Sequence, residues 1–432
     1  MAVQVQDSQM NDSLAPAGFG FRWTIVALLL AATTINYIDR QVLGILAPTI
    51  QHELHWGEND YASIAAWFSF AYGIGYLIAG PIMDRIGVKK GYALSIIIWS
   101  GAAMASSLGN TARQFGMARA ALGFGESGNF PAAINAVAEW FPRKERAFAT
   151  GIFNAGTNVG AIVASAFVPM IALNFGWRAA FLCTSGLSLL WLVSWWLVYE
   201  TPENHPRLKP AELTYIRSDS DGPVTRVPYL QVLGHKQAWA FILGKFFTDP
   251  VWWFYLFYLP KFLDTTFGVK LAGISAPLIV IYLIADFGSI YGGYLSGAII
   301  KRGGTTNRGR KTAMLIAATL IVPTMFVPRM GTMWGAVLLV ALAASSHQWW
   351  SANMFTTASD MFPRRAVATI IGFGGFAGAM GGVLFQKTVG YLLEQDPTAY
   401  RYIFMYCGMI YLVTLGLIHL IVPRLEPARL EA

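Results

Sequence analysis

Apolar runs about as long as a bilayer is thick recur along this chain, and that regularity limits its fold more than any motif does. A helix needs about 20 mostly apolar residues to cross the hydrocarbon core. Twelve such runs can be read, at 22–50, 60–83, 91–109, 113–138, 146–173, 179–199, 238–262, 272–300, 312–329, 333–358, 366–392 and 401–423. Composition agrees: 55% of residues are hydrophobic and 12% charged, where a soluble domain carries about 25% charge. The expected fold is an all-α membrane protein. Residues 1–20 lack a basic start and the first run is too long for the core of a cleavable signal, so that run is expected to stay in the mature protein.

The net charge of +8 does not call for a nucleic-acid partner. With the N-terminus placed in the cytoplasm, 21 of the 31 Lys and Arg fall on the cytoplasmic side and 7 on the other. That bias puts both termini inside by the positive-inside rule. The longest polar segment, 200–237, contains five prolines, and its Pro210 to Arg217 stretch suits a short surface helix. It divides the runs six and six. The expected organisation is a tail (1–21), a six-helix half (22–199), a cytoplasmic linker (200–237), a second six-helix half (238–423) and a second tail (424–432).

The halves also echo each other. Glu139-Trp140-Phe141-Pro142-Arg143-Lys144 returns as Asp360-Met361-Phe362-Pro363-Arg364-Arg365, each after the fourth span of its half. A 6+6 parallel repeat is the plan of major facilitator transporters, whose substrate site lies between the halves near the midplane. Between spans two and three stands Gly80-Pro81-Ile82-Met83-Asp84-Arg85-Ile86-Gly87-Val88-Lys89-Lys90. It matches the gating loop of that superfamily: Gly87 allows a tight turn, while Asp84 and Arg85 can latch the cytoplasmic side. The second half has Gly297 where the acid would be.

Charge inside the spans is the chemical signal. Asp39 and Arg40 sit in span one, and Arg119, Glu126 and Asn129 in span four, although each charged group near mid-membrane costs roughly 2.5–3.5 kcal/mol on insertion scales. Arg119 and Glu126, seven apart, share a helix face, and the depths of Arg40 and Arg119 match. Two cations at one level suit an anion held between them, since Arg grips carboxylates bidentately; the plainer alternative is an internal ion-pair network. Protonation of a carboxyl in such a cavity responds to desolvation and to a neighbouring Arg, so Asp39 and Glu126 read as proton carriers or as fixed counter-ions. Tyr37 and Tyr72 offer hydroxyls.

The second half carries Lys245 and Asp249, spaced to pair with each other, then Trp252, Trp253, Tyr255 and Tyr258, a density that suits a sugar face or simple packing. Asp286 has no identifiable partner. Span ten holds His347, Gln348 and Asn353 among serines, able to bond ligand hydroxyls or neighbouring helices. No His or Cys spacing suits a metal and no glycine run forms a phosphate loop. The expectation is therefore no metal, no cofactor and no enzymatic activity, with energy drawn from a gradient.

Asp39-Arg40, Tyr72, Arg119 with Glu126, and Trp140-Phe141-Pro142 to Glu145-Arg146 together resemble the anion:cation symporter family of the major facilitator superfamily. Asp249-Pro250-Val251-Trp252-Trp253-Phe254-Tyr255, Leu259-Pro260-Lys261, and His347-Gln348 with Ser351-Ala352-Asn353 look most like its bacterial hexuronate branch. The resemblance implies import of glucuronate or galacturonate with protons by a monomer in the bacterial inner membrane. It implies carboxylate contacts from Arg40 and Arg119, hydroxyl contacts from Tyr37 and Tyr72, and protonation of Asp39 and Glu126; the residues read above add Trp253, Tyr255, His347, Gln348 and Asn353 as substrate contacts and Asp84, Arg85 and Gly87 as the gate. Thr157 stands where galactonate-type members carry a longer amide. The alternatives are another sugar acid such as galactonate or glucarate, then drug efflux or a non-transport receptor or enzyme.

Overall fold

The computed structural model describes residues 20–218 and 229–428, and they are almost entirely helical. In chain order the helices are α1 (Arg22–Leu54), α2 (Glu58–Ile86), α3 (Val88–Ser107), α4 (Ala112–Glu126), α5 (Asn129–Trp140), α6 (Arg143–Phe175) and α7 (Trp177–Val198). Two short helices follow, α8 (Pro210–Arg217) and α9 (Tyr229–Leu233). The second half is α10 (Lys236–Phe267), α11 (Ser275–Lys301), α12 (Thr306–Ile321), α13 (Met333–Met361), α14 (Arg364–Gln395) and α15 (Tyr400–Ile421).

Twelve membrane-length passages result, because α4 and α5 form one broken passage and α12 continues through the 3-10 turn Val322–Arg329. In lipid every backbone group must find its partner within the segment, which makes each passage helical. Among the described residues, seven helical stretches are long and apolar enough to cross a membrane by length and composition alone. Four of the remaining passages are diluted by the polar residues singled out above: Asp39 and Arg40 in α1, Arg119 and Glu126 in α4, Lys245 and Asp249 in α10, and the His347 to Asn353 run in α13.

Local sequence explains the boundaries. The break in the fourth passage falls at Ser127-Gly128, a pair that commonly kinks helices, and Ser127 Oγ donates to the Phe124 carbonyl at 2.6 Å. Gly87 ends α2 at φ 80°, a left-handed conformation that a side chain would strain, and α3 starts at the next residue. Arg85 beside it is exposed; the Asp84 side chain lies outside the described residues.

The halves meet along three pairs of helices: α1 with α10, α2 with α14, and α6 with α11. Polar ties between them gather at the end of the bundle that carries the α1–α2 turn. There Lys261 Nζ reaches Glu58 Oε2 at 2.5 Å and Gln51 Oε1 at 2.6 Å. Tyr61 Oη donates to the Phe257 carbonyl at 2.5 Å, and Glu394 accepts the backbone N–H groups of Glu58 and Asn59. Gly44 lets α1 approach α10 closely: a Cβ there would lie 2.7 Å from the Leu256 carbonyl oxygen. Beyond this latch opens a cavity of about 710 Å³ lined by Gln51, Glu53, Lys261, Asp264 and Lys270 among others.

Candidate functional site

The centre of the molecule is organised by Arg40. Its guanidinium is 3% exposed, and Nη2 and Nε meet Glu126 Oε2 at 2.8 and 2.9 Å. Asn36, one turn back on α1, accepts from Nη2 at 3.4 Å. Four aromatic rings face the cation: Tyr37 at 4.6 Å, Tyr72 at 4.8 Å, and Phe68 and Trp253 at 5.4 Å each. Helical periodicity builds this box cheaply. Tyr37 lies three residues before Arg40, and Phe68 and Tyr72, four apart on α2, stack on each other at 5.8 Å.

Only Trp253 comes from the second half, so the box closes across the interface. Taking a guanidinium out of water costs several kcal/mol. Each ring face returns about 0.5–2 kcal/mol and the carboxylate the rest. The arrangement therefore needs an anion at Arg40, but Glu126 is bound through one oxygen only. Its Oε1 has no hydrogen-bond partner. A second carboxylate arriving at the guanidinium would compete with Glu126 for the same donors.

Asp39 and Arg119 form a separate layer inside the first half. One residue along α1 turns the side chain by about 100°, so Asp39 points away from the box, where Ser188 Oγ of α7 donates to Oδ2 at 2.8 Å. Arg119, 2% exposed, donates through Nη1 to the Asp39 carbonyl oxygen at 3.4 Å and lies 5.7 Å from the Phe181 ring. Its Nε and Nη2 have no hydrogen-bond partner. The two arginines expected to face one anion thus have different surroundings, and Glu126, expected on the same face of α4 as Arg119, pairs with Arg40. Asn129 instead accepts from Tyr92 Oη at 2.5 Å and donates to Thr33.

In the second half, Lys245 and Asp249 pair at 2.7 Å, as their spacing predicts. His347 stacks on Trp252 at 5.2 Å, and its Nδ1 lies 2.6 Å from Tyr411 Oη. Asn353 donates to the Gly292 and Trp349 carbonyls at 3.1 Å, leaving Oδ1 without a partner. Gln348 is half-buried. Tyr255 turns away from Arg40 into the packing of its own half, beside Phe254, Thr324 and Cys407. Phe68, Gln41 and Ser188 join the site without a sequence signal of their own, since such residues are common in spans. The place of Gln41 next to the charged pair is the one signal that could have found it. Among the described residues no group of three His, Cys, Asp or Glu could hold a metal.

Comparison with known proteins agrees with the twelve-passage fold. The family model for the Major Facilitator Superfamily matches residues 29–386. The chain is 30% identical over 382 residues to a hexuronate transporter of Escherichia coli K12, covering 87% of this chain and 88% of that one. It is 34% identical over 285 residues to a galacturonate transporter of Dickeya chrysanthemi, covering 64% and 81% respectively. Among solved structures, a D-xylose-proton symporter matches with a TM-score of 0.75 at 16% identity, covering 94% of this chain and 98% of that one. At that identity the likeness speaks for the fold alone.

Proposed function

The chain belongs to the Major Facilitator Superfamily and is a membrane transporter, not an enzyme; on that premise we propose that it imports a hexuronate, glucuronate or galacturonate, together with protons by alternating access. The observation that carries this reading is Arg40: a buried cation whose one carboxylate partner, Glu126, can be exchanged, inside an aromatic box shared by both halves. A sugar acid offers a carboxylate for the guanidinium and an apolar C–H face for the rings. The printed names of the relatives, hexuronate and galacturonate transporters, point to the same ligand class.

In this mechanism Glu126 and the substrate carboxylate compete for Arg40. Protonating Glu126 removes the competitor and frees the guanidinium, so substrate and proton enter together. Asp39, held by Ser188, is a second proton site. Arg119, on the Asp39 carbonyl, holds α1 in register and balances its charge. Tyr37, Tyr72 and Trp253 support the sugar ring; His347, Gln348 and Asn353 line the second-half side.

The protein acts as a monomer in the bacterial inner membrane, with halves 22–199 and 238–423 joined by the linker 200–237 and with both tails cytoplasmic. The latched end then faces outward, and the conformation is one that releases substrate inward. Asp84, Arg85 and Gly87 form the opposite, cytoplasmic latch.

The test is uptake of labelled glucuronate, galacturonate and galactonate into liposomes carrying the purified protein under an imposed inward proton gradient. Saturable uptake of a hexuronate, abolished by an uncoupler, is expected. Saturable uptake of galactonate alone would move the substrate to another sugar acid, and uptake of none would sink the reading.

A further inference from the structure

Two polar contacts bridge the halves beside Arg40, and neither has a part in holding it. Gln41, the next residue on α1, is 1% exposed. Its Nε2 donates to Tyr282 Oη of α11 at 2.7 Å, while its Oε1 has no hydrogen-bond partner. One turn along α11, about 6 Å further, Asp286 accepts from the side-chain amide of Asn158 on α6. Tyr282 also lies 6.4 Å from the Trp252 ring, edge to face, and the adjacent Trp253 caps Arg40. Gln41 thus neighbours the box along α1, and Tyr282 neighbours it through Trp252.

Their chemistry is a row of acceptors. A buried carbonyl oxygen without a donor is rare, and so is a carboxylate within a span; both are explained if a donor arrives with the ligand. Hydroxyl groups are such donors, and they lie on the part of a sugar acid remote from its carboxylate. We propose that Gln41, Tyr282, Asn158 and Asp286 form a hydroxyl-reading subsite that distinguishes sugar acids differing in the configuration of one hydroxyl. This rests on the hexuronate reading above and adds to it the residues that set the epimer. Because each pair spans the interface, a ligand seated there replaces contacts between the halves with contacts to itself.

The test is the ratio of dissociation constants for glucuronate and galacturonate, two acids that differ at one hydroxyl. It would be measured by titration calorimetry on the full-length protein in detergent for wild type, Gln41→Leu, Asp286→Asn and Tyr282→Phe. Losing one hydrogen bond to a hydroxyl should shift that ratio roughly five- to tenfold in at least one variant. Tyr282→Phe keeps the ring packing and provides the reading if a harsher variant does not fold. Equal changes for both acids in every folded variant, within twofold, would assign the four residues to closure between the halves and overturn the proposal. Wild-type protein that binds neither acid would instead bring down the hexuronate reading, and this subsite with it.

Discussion

Replacing Glu126 with Gln isolates the exchange on which the mechanism depends. Arg40 is paired with the Glu126 carboxylate at 2.8 Å, and both side chains are almost wholly buried. Removing one member of a buried pair leaves the other charge uncompensated, at a cost of about 3–5 kcal/mol. Four ring faces and Asn36 remain, so the variant should fold while its empty state is strained. A substrate carboxylate restores the missing charge. If only about a third of the cost returns on binding, roughly 1.4 kcal/mol, affinity rises about tenfold. Wild-type affinity should also strengthen as pH falls, since protonating Glu126 removes the competitor, and in Glu126→Gln that dependence should flatten. The assays are calorimetric titration across pH 5 to 8 and transport in liposomes, where the variant should exchange substrate yet fail to accumulate it against a gradient. Unchanged accumulation, or a pH dependence equal to wild type, would remove Glu126 from the proton path and refute the competition argument.

Arg40→Ala removes the anion anchor and should abolish binding; a dissociation constant within about threefold of wild type would refute that role. Lys261→Ala cuts two ties of the latched end, to Glu58 and Gln51, and should raise the labelling rate of a cysteine placed at Ile45, a buried position of α1, by a water-soluble thiol reagent, several-fold over the same cysteine with Lys261 intact. An unchanged rate would mean that the backbone approaches near Leu256 and Phe257 hold that end without the ion pair. Ser188→Ala takes away a hydrogen-bond donor to the Asp39 carboxylate. If Asp39 is a proton site, the pH profile of transport should move while substrate affinity at its optimum stays within about twofold. A profile identical to wild type would leave Asp39 as a counter-ion.

Run lengths and the repeat were enough to read twelve helical passages, because the bilayer leaves a segment of that length little alternative to helix. The short linker helix was also legible from its proline start. What could not be read is which helices face each other. Seven residues do put Arg119 and Glu126 on one face of α4, but that spacing leaves open which groups of the facing helix each one meets. Glu126 reaches α1 at Arg40, while Arg119 reaches the same helix at the Asp39 carbonyl. Trp253 and Tyr255 looked equivalent in the sequence. Two positions apart they diverge by about 200°, and only one can face the box. Asp286 had no visible partner because Asn158 is in the other half, and no periodicity relates two helices that meet only in the folded protein.

The asymmetry between the halves has a mechanical consequence. In the central box the first half supplies the charges, Arg40 and Glu126, together with three of the four rings, whereas the second half supplies Trp253. Of the two, the aromatic contact is the one that can be broken and remade at modest cost, since a ring leaving a cation forfeits about 0.5–2 kcal/mol and exposes no unpaired charge. The costly pair never has to separate across the moving interface. A transporter that divided Arg40 and Glu126 between its halves would have to strand a buried ion on every cycle. Keeping both in one half lets the halves part at a ring face, while in the proposed mechanism Glu126 and the substrate carboxylate exchange places on an arginine that stays within its own half.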